Sequence, residues 1–540
     1  MAELPIVEKQ RATRHSIWNK LSDFANVFKA FIGCNYLSVP FAFKQSGFLL
    51  GIIGLIIIAY ITDHCCVLIV KCKKAAIDQI MNSTYYCPYD GESEEYRKVE
   101  KQKMKQRRNL ELAITYGDLG RIVLGQWGSL IVNAALIITQ FSFCVNYFIF
   151  MGDTITRMFP LADKNKTHTP TPVPNSTALL GESASDKHPG APNVIFLMLI
   201  PFPFFLLQTY VRKVRSLGPL SAIANACVFL GFFSILGFIL KGIDFSNVYK
   251  VDMWKFSTFP IFFGQIIGAY EGIGTIIPIE ASMKENRKNF RNYLHGAILL
   301  LSIILGTFGI FGYIHFTDDV EQLISDNLPY GTLSIIVQIT LCVGILFTYP
   351  LQIFPVVQIA ENFLFKETKE RSTFTASFNS EHASIHSGTP GLQYGNITPG
   401  DESSGDESSD TAEQNSANRS AEEMGSISKG GYSLLVRRPG GLCSCDMGWS
   451  TWKRNIVRTI LVILSFGVAY VSRNYYAYIA AISGSIGSSL LAFILPCIFH
   501  LIIKRDTLPT YIVAKDILLI IFGIIAGIVG FVTTLIKIIK

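Results

Sequence analysis

About eleven apolar runs of membrane-spanning length divide this chain, and they constrain its fold more than any other feature. Half of the 540 residues are apolar, and the mean hydropathy is +0.36. Because lipid offers no hydrogen-bond partner to the backbone, each run is predicted to be a helix, and the chain an all-α polytopic membrane protein. The predicted runs are Leu21–Gly47, Phe48–Val70, Gly128–Met151, Asn193–Tyr210, Pro219–Leu240, Phe259–Met283, Tyr293–Ile314, Thr332–Phe365, Asn455–Val471, Tyr475–Ile503 and Tyr511–Ile536.

The charges between the runs predict how the chain is oriented. Lys and Arg cluster after runs two, four, six and ten, whereas the connection from Phe316 to Tyr330 has four acidic residues and no basic one. Basic connections stay in the cytosol, so the N-terminus is expected there and the C-terminus on the opposite side. The same orientation places the sequons at Asn165 and Asn175 outside, where they predict glycosylation. Since these connections account for the net charge of +7, no nucleic-acid partner is expected.

Composition divides the chain into four parts. Residues 1–20 form a polar cytosolic tail, residues 21–365 hold the first eight runs, and residues 453–540 hold the last three. Residues 366–452 are rich in Ser, Gly and acidic side chains, so we expect a disordered cytosolic loop. Its DESSGDESSD sequence and the segment Tyr432–Leu435 suggest kinase and adaptor partners, with a merely solvated spacer as the alternative.

Two of the runs are interrupted by glycine and polar residues. The first run has Gly33, Cys34 and Asn35 before Pro40, and the sixth has the sequence YEGIG with Glu271 near its middle. A carboxylate at the bilayer centre costs at least ~2.5 kcal/mol, so Glu271 is expected to face a polar cavity or a partner. Interruptions in the first and sixth runs are typical of an inverted repeat of five plus five helices, with a binding site where the breaks meet.

The groups that such breaks expose match an α-amino acid. The backbone N–H groups of Gly33 to Tyr36 would start a half-helix, whose positive end suits a carboxylate. Freed carbonyls near Tyr270 and the side chain of Glu271 would receive an ammonium group. Gly272 and Gly274 would let the backbone open. For any single glycine, ordinary helix packing is the alternative.

These motifs resemble the amino acid/auxin permease family of the amino acid–polyamine–organocation superfamily, and within it the proton-coupled amino acid transporter branch. The resemblance covers nearly all runs and rests on FIGCNYLSVPFAFKQSGF, TYGDLG with ITQFSFCVNYFIFMGD, and FFGQIIGAYEGIGTIIPIEASMKENRKNF. It implies eleven helices in a LeuT-like 5+5 inverted repeat, a substrate site at the breaks of helices one and six, and further contacts from helices three and eight. Tyr147 and Thr348 are our candidates for those further contacts, with hydrogen bonding between helices as the alternative.

The chain departs from the branch at two positions that bear on substrate and coupling. Asn35 stands where the branch usually has glycine, and it would narrow the cavity or add a hydrogen-bonding group. Asn26 stands three residues before Lys29, where the branch has histidine. Because Asn cannot titrate, Glu271 is the candidate proton carrier, with uncoupled transport as the alternative and sodium coupling still open.

No enzymatic machinery, cofactor or metal site is expected. The sequence has no phosphate-binding loop and no nucleophile elbow, and Cys443-Ser444-Cys445 lacks the paired spacing of a zinc site. We predict a secondary transporter of neutral L-amino acids that works by alternating access in an endolysosomal, vacuolar or plasma membrane. The alternative is an amino acid sensor that signals through residues 366–452.

Overall fold

The computed structural model describes residues 20–84, 94–159, 192–212, 218–283, 285–365 and 449–540. Within these ranges the regular secondary structure is helical, without a strand. The helices are α1 (20–31), α2 (Val39–Ser46), α3 (Phe48–Thr84), α4 (Glu94–Ala113), α5 (Tyr116–Arg157), α6 (Val194–Leu199), α7 (Phe202–Thr209), α8 (Gly218–Lys241), α9 (Phe259–Ala269), α10 (Ile273–Ser282), α11 (Phe290–Phe316), α12 (Thr332–Leu364), α13 (Trp449–Val471), α14 (Tyr476–Ile503) and α15 (Thr510–Ile539).

The helices agree with the predicted membrane segments. Among the described residues, nine helical segments are long and apolar enough to cross a membrane, with α9 and α10 together forming one of them. The remaining two predicted runs are present in divided form, the first as α1 and α2 and the fourth as α6 and α7. Pro201 and Pro203 stand where the fourth run divides, since proline removes a backbone donor and begins a new helix there. The chain is an all-α polytopic membrane protein with broken first and sixth segments.

Several helices extend beyond the apolar runs that predicted them. The second run was expected to end at Val70, but α3 continues to Thr84 with Cys72, Ala76 and Ile77 buried. An apolar window stops at the lysines of residues 71–74, whereas a helix continues wherever one of its faces packs on protein. At the other end of the chain, α13 begins at Trp449, four residues inside the expected loop.

The connection after α3 contains a helix that the apolar pattern did not predict. Helix α4 is polar and strongly charged, so a membrane-length window passes over it. The next helix, α5, begins at Tyr116 instead of Gly128, with a capping box in which Thr115 and Asp118 bond each other's backbone N–H. A kink at Gly125, where φ is 67°, separates its first turns from the membrane-spanning part.

Some predictions concern residues outside the described ranges. They are the N-terminal tail up to residue 19, the sequons at Asn165 and Asn175, and residues 366–448 with their serines, Tyr432–Leu435 and Cys443. These stay predictions from the sequence alone.

Candidate functional site

The first membrane segment opens between α1 and α2. Helix α1 ends at residue 31, Gly33 is extended with φ −134° and ψ −173°, and a short 3-10 turn, Cys34–Ser38, leads into α2 with Pro40 in its first turn. A Cβ added to Gly33 would meet no described atom within 4 Å. The break therefore leaves space directly beside Gly33.

The sixth segment opens at the three residues between α9 and α10. Tyr270 ends α9, and Gly272 precedes α10 with φ −161° and ψ −7°. A Cβ on Gly272 would lie 2.6 Å from Cδ1 of Phe31 and 2.7 Å from the carbonyl oxygen of Ala30. Since no real Cβ approaches a carbonyl so closely, glycine at this position allows the second break to pack against the end of α1.

One hydrogen bond joins the two breaks directly. The side-chain amide of Asn35, only 8% exposed, donates from Nδ2 to the carbonyl oxygen of Gly268 in the last turn of α9, at 3.1 Å. The same carbonyl accepts the backbone N–H of Glu271 at 3.3 Å in place of a regular i+4 bond, and Asn35 adds a second donor from the other break. The asparagine that departs from the family pattern thus bridges the first and sixth segments.

Glu271 lies inside this junction with its charge uncompensated. The side chain is 8% exposed, and neither carboxylate oxygen accepts a well-formed hydrogen bond from the described residues. The hydroxyl of Ser488 lies beside the carboxylate and is itself buried without a well-formed bond. A buried carboxylate without a partner costs several kcal/mol, of order 2.5 or more in a membrane. A carboxylate in this setting is stabilised when it binds a cation or a proton.

Ser488 comes from a part of α14 that sequence reasoning did not single out. Two π-helical stretches, Gly484–Ser488 and Leu490–Ile494, interrupt α14 there. Such π-bulges often occur at functional sites because they widen the helix and redirect side chains. The signal in the sequence was SGSIGSS, a cluster of small and hydroxyl residues in the middle of the tenth run.

Small residues bring α14 close to the sixth segment. A Cβ on Gly264 would clash with the carbonyl oxygen of Ala481, and a Cβ on Gly484 would clash with that of Gly264. Gly268, one helical turn beyond Gly264, also faces the backbone of α14, since a Cβ added there would lie 3.3 Å from the carbonyl oxygen of Ala480. This is the close approach that glycines four residues apart permit in membranes, and it sets Ser488 beside Glu271.

The two tyrosines of the breaks hold the surrounding helices with their hydroxyl groups. Tyr36 is buried and donates to the carbonyl oxygen of Val228 in α8, at 3.2 Å. Tyr270 is also buried and donates to Oγ of Ser302 in α11, at 2.6 Å. The ring of Tyr36 packs on Phe232 of α8 and Phe308 of α11, and the two hydroxyl bonds attach α8 and α11 to the breaks.

The remaining candidates lie on α5, α12 and α10 and in the first break, and neither Tyr147 nor Thr348 has a described contact with Glu271 or Asn35. The ring of Tyr147 in α5 lies 6.5 Å from that of Tyr349 in α12, centroid to centroid. The hydroxyl of Thr348 donates to the carbonyl oxygen of Gly344 within its own helix, at 2.7 Å. A Cβ on Gly274 would contact Leu136 of α5 at 2.7 Å, so this glycine fits α10 against the third membrane segment. Cys34 lies in the 3-10 turn of the first break.

A buried charge network holds the inner end of α10. Glu280, fully buried, pairs with Nζ of Lys73 at 3.1 Å, with Nζ of Lys74 at 3.5 Å and with Nε of Arg287 at 2.6 Å. Arg287 also binds the carboxylate of Glu111 at the end of α4. The half-helix that begins beside Glu271 is therefore attached to α3 and α4 at its other end. Among the described residues, no group of three or more His, Cys, Asp or Glu side chains could hold a metal ion.

Comparison with known proteins agrees with this architecture. The profile of a family described as "Transmembrane amino acid transporter protein" matches residues 18–86 and 99–539. Amino acid transporter AVT3B of Arabidopsis thaliana is 30% identical over 347 residues, which cover 64% of this chain and 71% of that protein. Amino acid transporter ANT1 of the same plant is 22% identical over 542 residues, covering 99% of this chain and 97% of that protein.

Among solved structures, the crystal structure of MhsT in complex with L-phenylalanine is similar to this chain. It covers 95% of this chain and 98% of its own, with a TM-score of 0.43 and 11% sequence identity. The family assignment rests on the sequence, because the profile spans nearly the whole chain, including both broken segments and α14. The chain belongs to the transmembrane amino acid transporter family, which is a family of transporters and not of enzymes.

Proposed function

We propose that this transporter moves neutral L-amino acids by alternating access, with the substrate held at the junction of the two broken segments. The observation that carries the proposal is Glu271, a buried carboxylate without a well-formed hydrogen bond in one break, together with the free space at Gly33 in the other. The backbone N–H groups at the start of the Cys34–Ser38 turn would bind the substrate carboxylate. Glu271 and the last carbonyls of α9 would bind its ammonium group.

The restriction to neutral substrates follows from what surrounds the junction. Its neighbours include Phe31, Ile273 and the rings of Tyr36 and Tyr270, all buried. A charged substrate side chain would lose its hydration among such residues without gaining an opposite charge. An uncharged side chain enters at a much lower cost.

Proton coupling through Glu271 is the second part of the proposal. Glu271 is the one carboxylate in the sequence of the two breaks, and Asn26 occupies the place of the histidine of the proton-coupled branch. A carboxyl group buried between two moving half-helices would take up a proton on one side of the membrane and release it on the other. We further propose that the protein resides in an endolysosomal or vacuolar membrane in preference to the plasma membrane.

Counterflow in proteoliposomes tests substrate and coupling together. The purified protein is loaded with one amino acid, and exchange is measured against a panel of others, with and without proton and sodium gradients. We expect exchange of neutral amino acids, faster with an inward proton gradient and indifferent to sodium. Exchange limited to charged amino acids would contradict the proposed substrate class. Substrate binding without any flux would instead favour the sensor.

A further inference from the structure

Helix α4 lies on the side of the molecule that the basic connections predict to be cytosolic, and one of its faces packs on the helices of the transporter. Leu110, 2% exposed, packs inward, and Nη2 of Arg107 donates to Oδ1 of Asp78 on α3 at 2.7 Å. Glu111 binds Arg287, as described above. These contacts fix the orientation of α4 on the transporter, so the face opposite Leu110 is directed away from the protein.

The opposite face of α4 combines basic and apolar side chains, all exposed. Lys101, Lys105, Arg108 and Leu112 recur at helical spacing along one stripe, and Met104 flanks it. Met104 is 68% exposed and Leu112 is 57% exposed. Within the described part of the chain, none of the three cations on this stripe pairs with a carboxylate. We call these five residues the α4 stripe.

The chain that follows α4 places this helix at the membrane surface. Three residues after α4 ends, the hydroxyl of Tyr116 donates to the carbonyl oxygen of Leu491 at 2.7 Å. Leu491 lies twelve residues before the cytosolic end of α14 at Ile503, a depth of about 18 Å at the rise of an α-helix. Three residues of extended chain span up to about 10 Å, so the C-terminal end of α4 lies between that depth and the level where α14 ends, on the headgroup side of Leu491. At that level, exposed Lys, Arg, Met and Leu side chains form a surface typical of interfacial helices.

We propose that the α4 stripe binds the phosphate groups of anionic lipids in the cytosolic leaflet. This proposal goes beyond amino acid transport and does not depend on which substrate is carried. The charge is complementary, because that leaflet carries a negative surface potential that attracts basic residues next to a membrane segment. Leu112 and Met104 would enter the headgroup region, which explains why large apolar side chains are exposed beside the cations.

Through its ion pairs, α4 would also link lipid binding to the position of α10 at the transport site. Glu111 binds Arg287, Arg287 binds Glu280, and Glu280 belongs to α10, the half-helix that begins next to Glu271. A shift of α4 on the leaflet would be passed through these ion pairs to α10. Anionic lipid bound at α4 is therefore expected to change the rate of transport although it does not contact the substrate.

Hydrogen exchange of the full-length protein in nanodiscs tests the binding. Backbone amides of residues 100–113 are followed in phosphatidylcholine with and without phosphatidylserine, for the natural protein and for the Lys101→Gln/Lys105→Gln variant. Gln keeps the helical propensity, so the variant should fold normally. We expect phosphatidylserine to protect this segment in the natural protein, and the variant to need on the order of thirty-fold more anionic lipid, roughly five-fold for each lysine.

Lys241→Gln/Lys250→Gln is the matched control, because it removes two exposed lysines from the opposite side of the protein. This control should retain the full protection by phosphatidylserine. Uptake measured in the same two lipid mixtures should differ for the natural protein and the control, and not for the Lys101→Gln/Lys105→Gln variant. Equal protection of residues 100–113 in both lipid mixtures, or equal protection by soluble glycerophosphoserine, would overturn the proposal. The exchange result stands independently of transport, so it separates this proposal from the proposed function.

Discussion

Glu271 is the residue at which the proposed binding and coupling meet. Glu271→Gln keeps the size of the side chain and removes its charge, so the substrate ammonium would lose its anionic partner. Losing one member of a buried charge pair costs about 2–5 kcal/mol, so substrate affinity should fall at least ~30-fold, and the pH dependence of uptake should flatten. Uptake in proteoliposomes across a pH series measures both.

The control for that substitution is Asp252→Asn, which neutralises an exposed carboxylate in the connection before α9. Its uptake should match that of the natural protein. If Glu271→Gln behaved like this control for every amino acid tested, Glu271 would have no part in substrate or proton binding.

The two glycines of the breaks should respond differently to the same added methyl group. In Gly272→Ala the new Cβ meets the backbone of Ala30 and the ring of Phe31, so the junction must shift, at a cost of roughly 1–3 kcal/mol. In Gly33→Ala the Cβ meets nothing within 4 Å and the backbone is extended, so the fold should be unaffected.

The unfolding temperature in detergent and the uptake rate distinguish the two variants. We expect Gly272→Ala to lower both, and Gly33→Ala to lower uptake alone, most strongly for larger amino acids, because the methyl group takes space in the substrate site. A Gly33→Ala variant that transports large and small substrates at natural rates would place the substrate elsewhere.

At the scale of elements, the charge network around Glu280 decides how firmly α10 is held. Glu280→Gln would leave Lys73, fully buried, without a carboxylate, and exposing such a charge to an apolar interior costs about 3–5 kcal/mol. Lys73→Met should cost much less, because Glu280 keeps Lys74 and Arg287. Thermal unfolding in detergent measures the stability of both variants. A loss of stability in Lys73→Met as large as that in Glu280→Gln would contradict the view that Glu280 neutralises the buried charge of Lys73.

Some elements follow from their local sequence, whereas others form because of contacts with distant parts of the chain. Apolar runs predicted the membrane segments, and the glycines with Pro40 and Glu271 predicted the breaks in the first and sixth, since each signal lies within a few residues. The division of the fourth segment at Pro201 and Pro203 was not predicted. Helix α4 was missed because its stability comes from Leu110, Arg107 and Glu111 packing on α3 and α10. The π-helical stretches of α14 were missed for the same reason, because the neighbouring helix determines them.

At the scale of the whole molecule, the long connection between α12 and α13 should be dispensable for transport. Contacts outside the connection hold the facing ends of the two helices. Arg458 of α13 donates from Nε to Oε1 of Glu361 in α12 at 2.7 Å, and from Nη1 to the carbonyl oxygen of Thr209 in α7 at 2.7 Å. Shortening a connection changes its closure free energy by only ~0.6 kcal/mol for each halving of its length. Deleting Thr373 to Gly431 should therefore leave the fold stable and uptake in liposomes intact.

The same deletion separates transport from signalling. A sensor that acts through this connection would still bind amino acid after the deletion and lose its cellular response. Complete loss of uptake in purified liposomes would instead mean that the connection takes part in the transport cycle.

The sequence by itself determined that the chain crosses the membrane repeatedly, which segments break, and that a carboxylate lies in the sixth. These features follow from local requirements, because lipid demands internal hydrogen bonds and glycine or a buried charge interrupts a helix wherever it occurs. Only the tertiary structure decided what meets at the breaks: Asn35 binds a carbonyl 233 positions away, and Ser488 of the tenth segment lies beside Glu271. Contacts between distant positions depend on how the helices pack, and no short stretch of sequence records that packing.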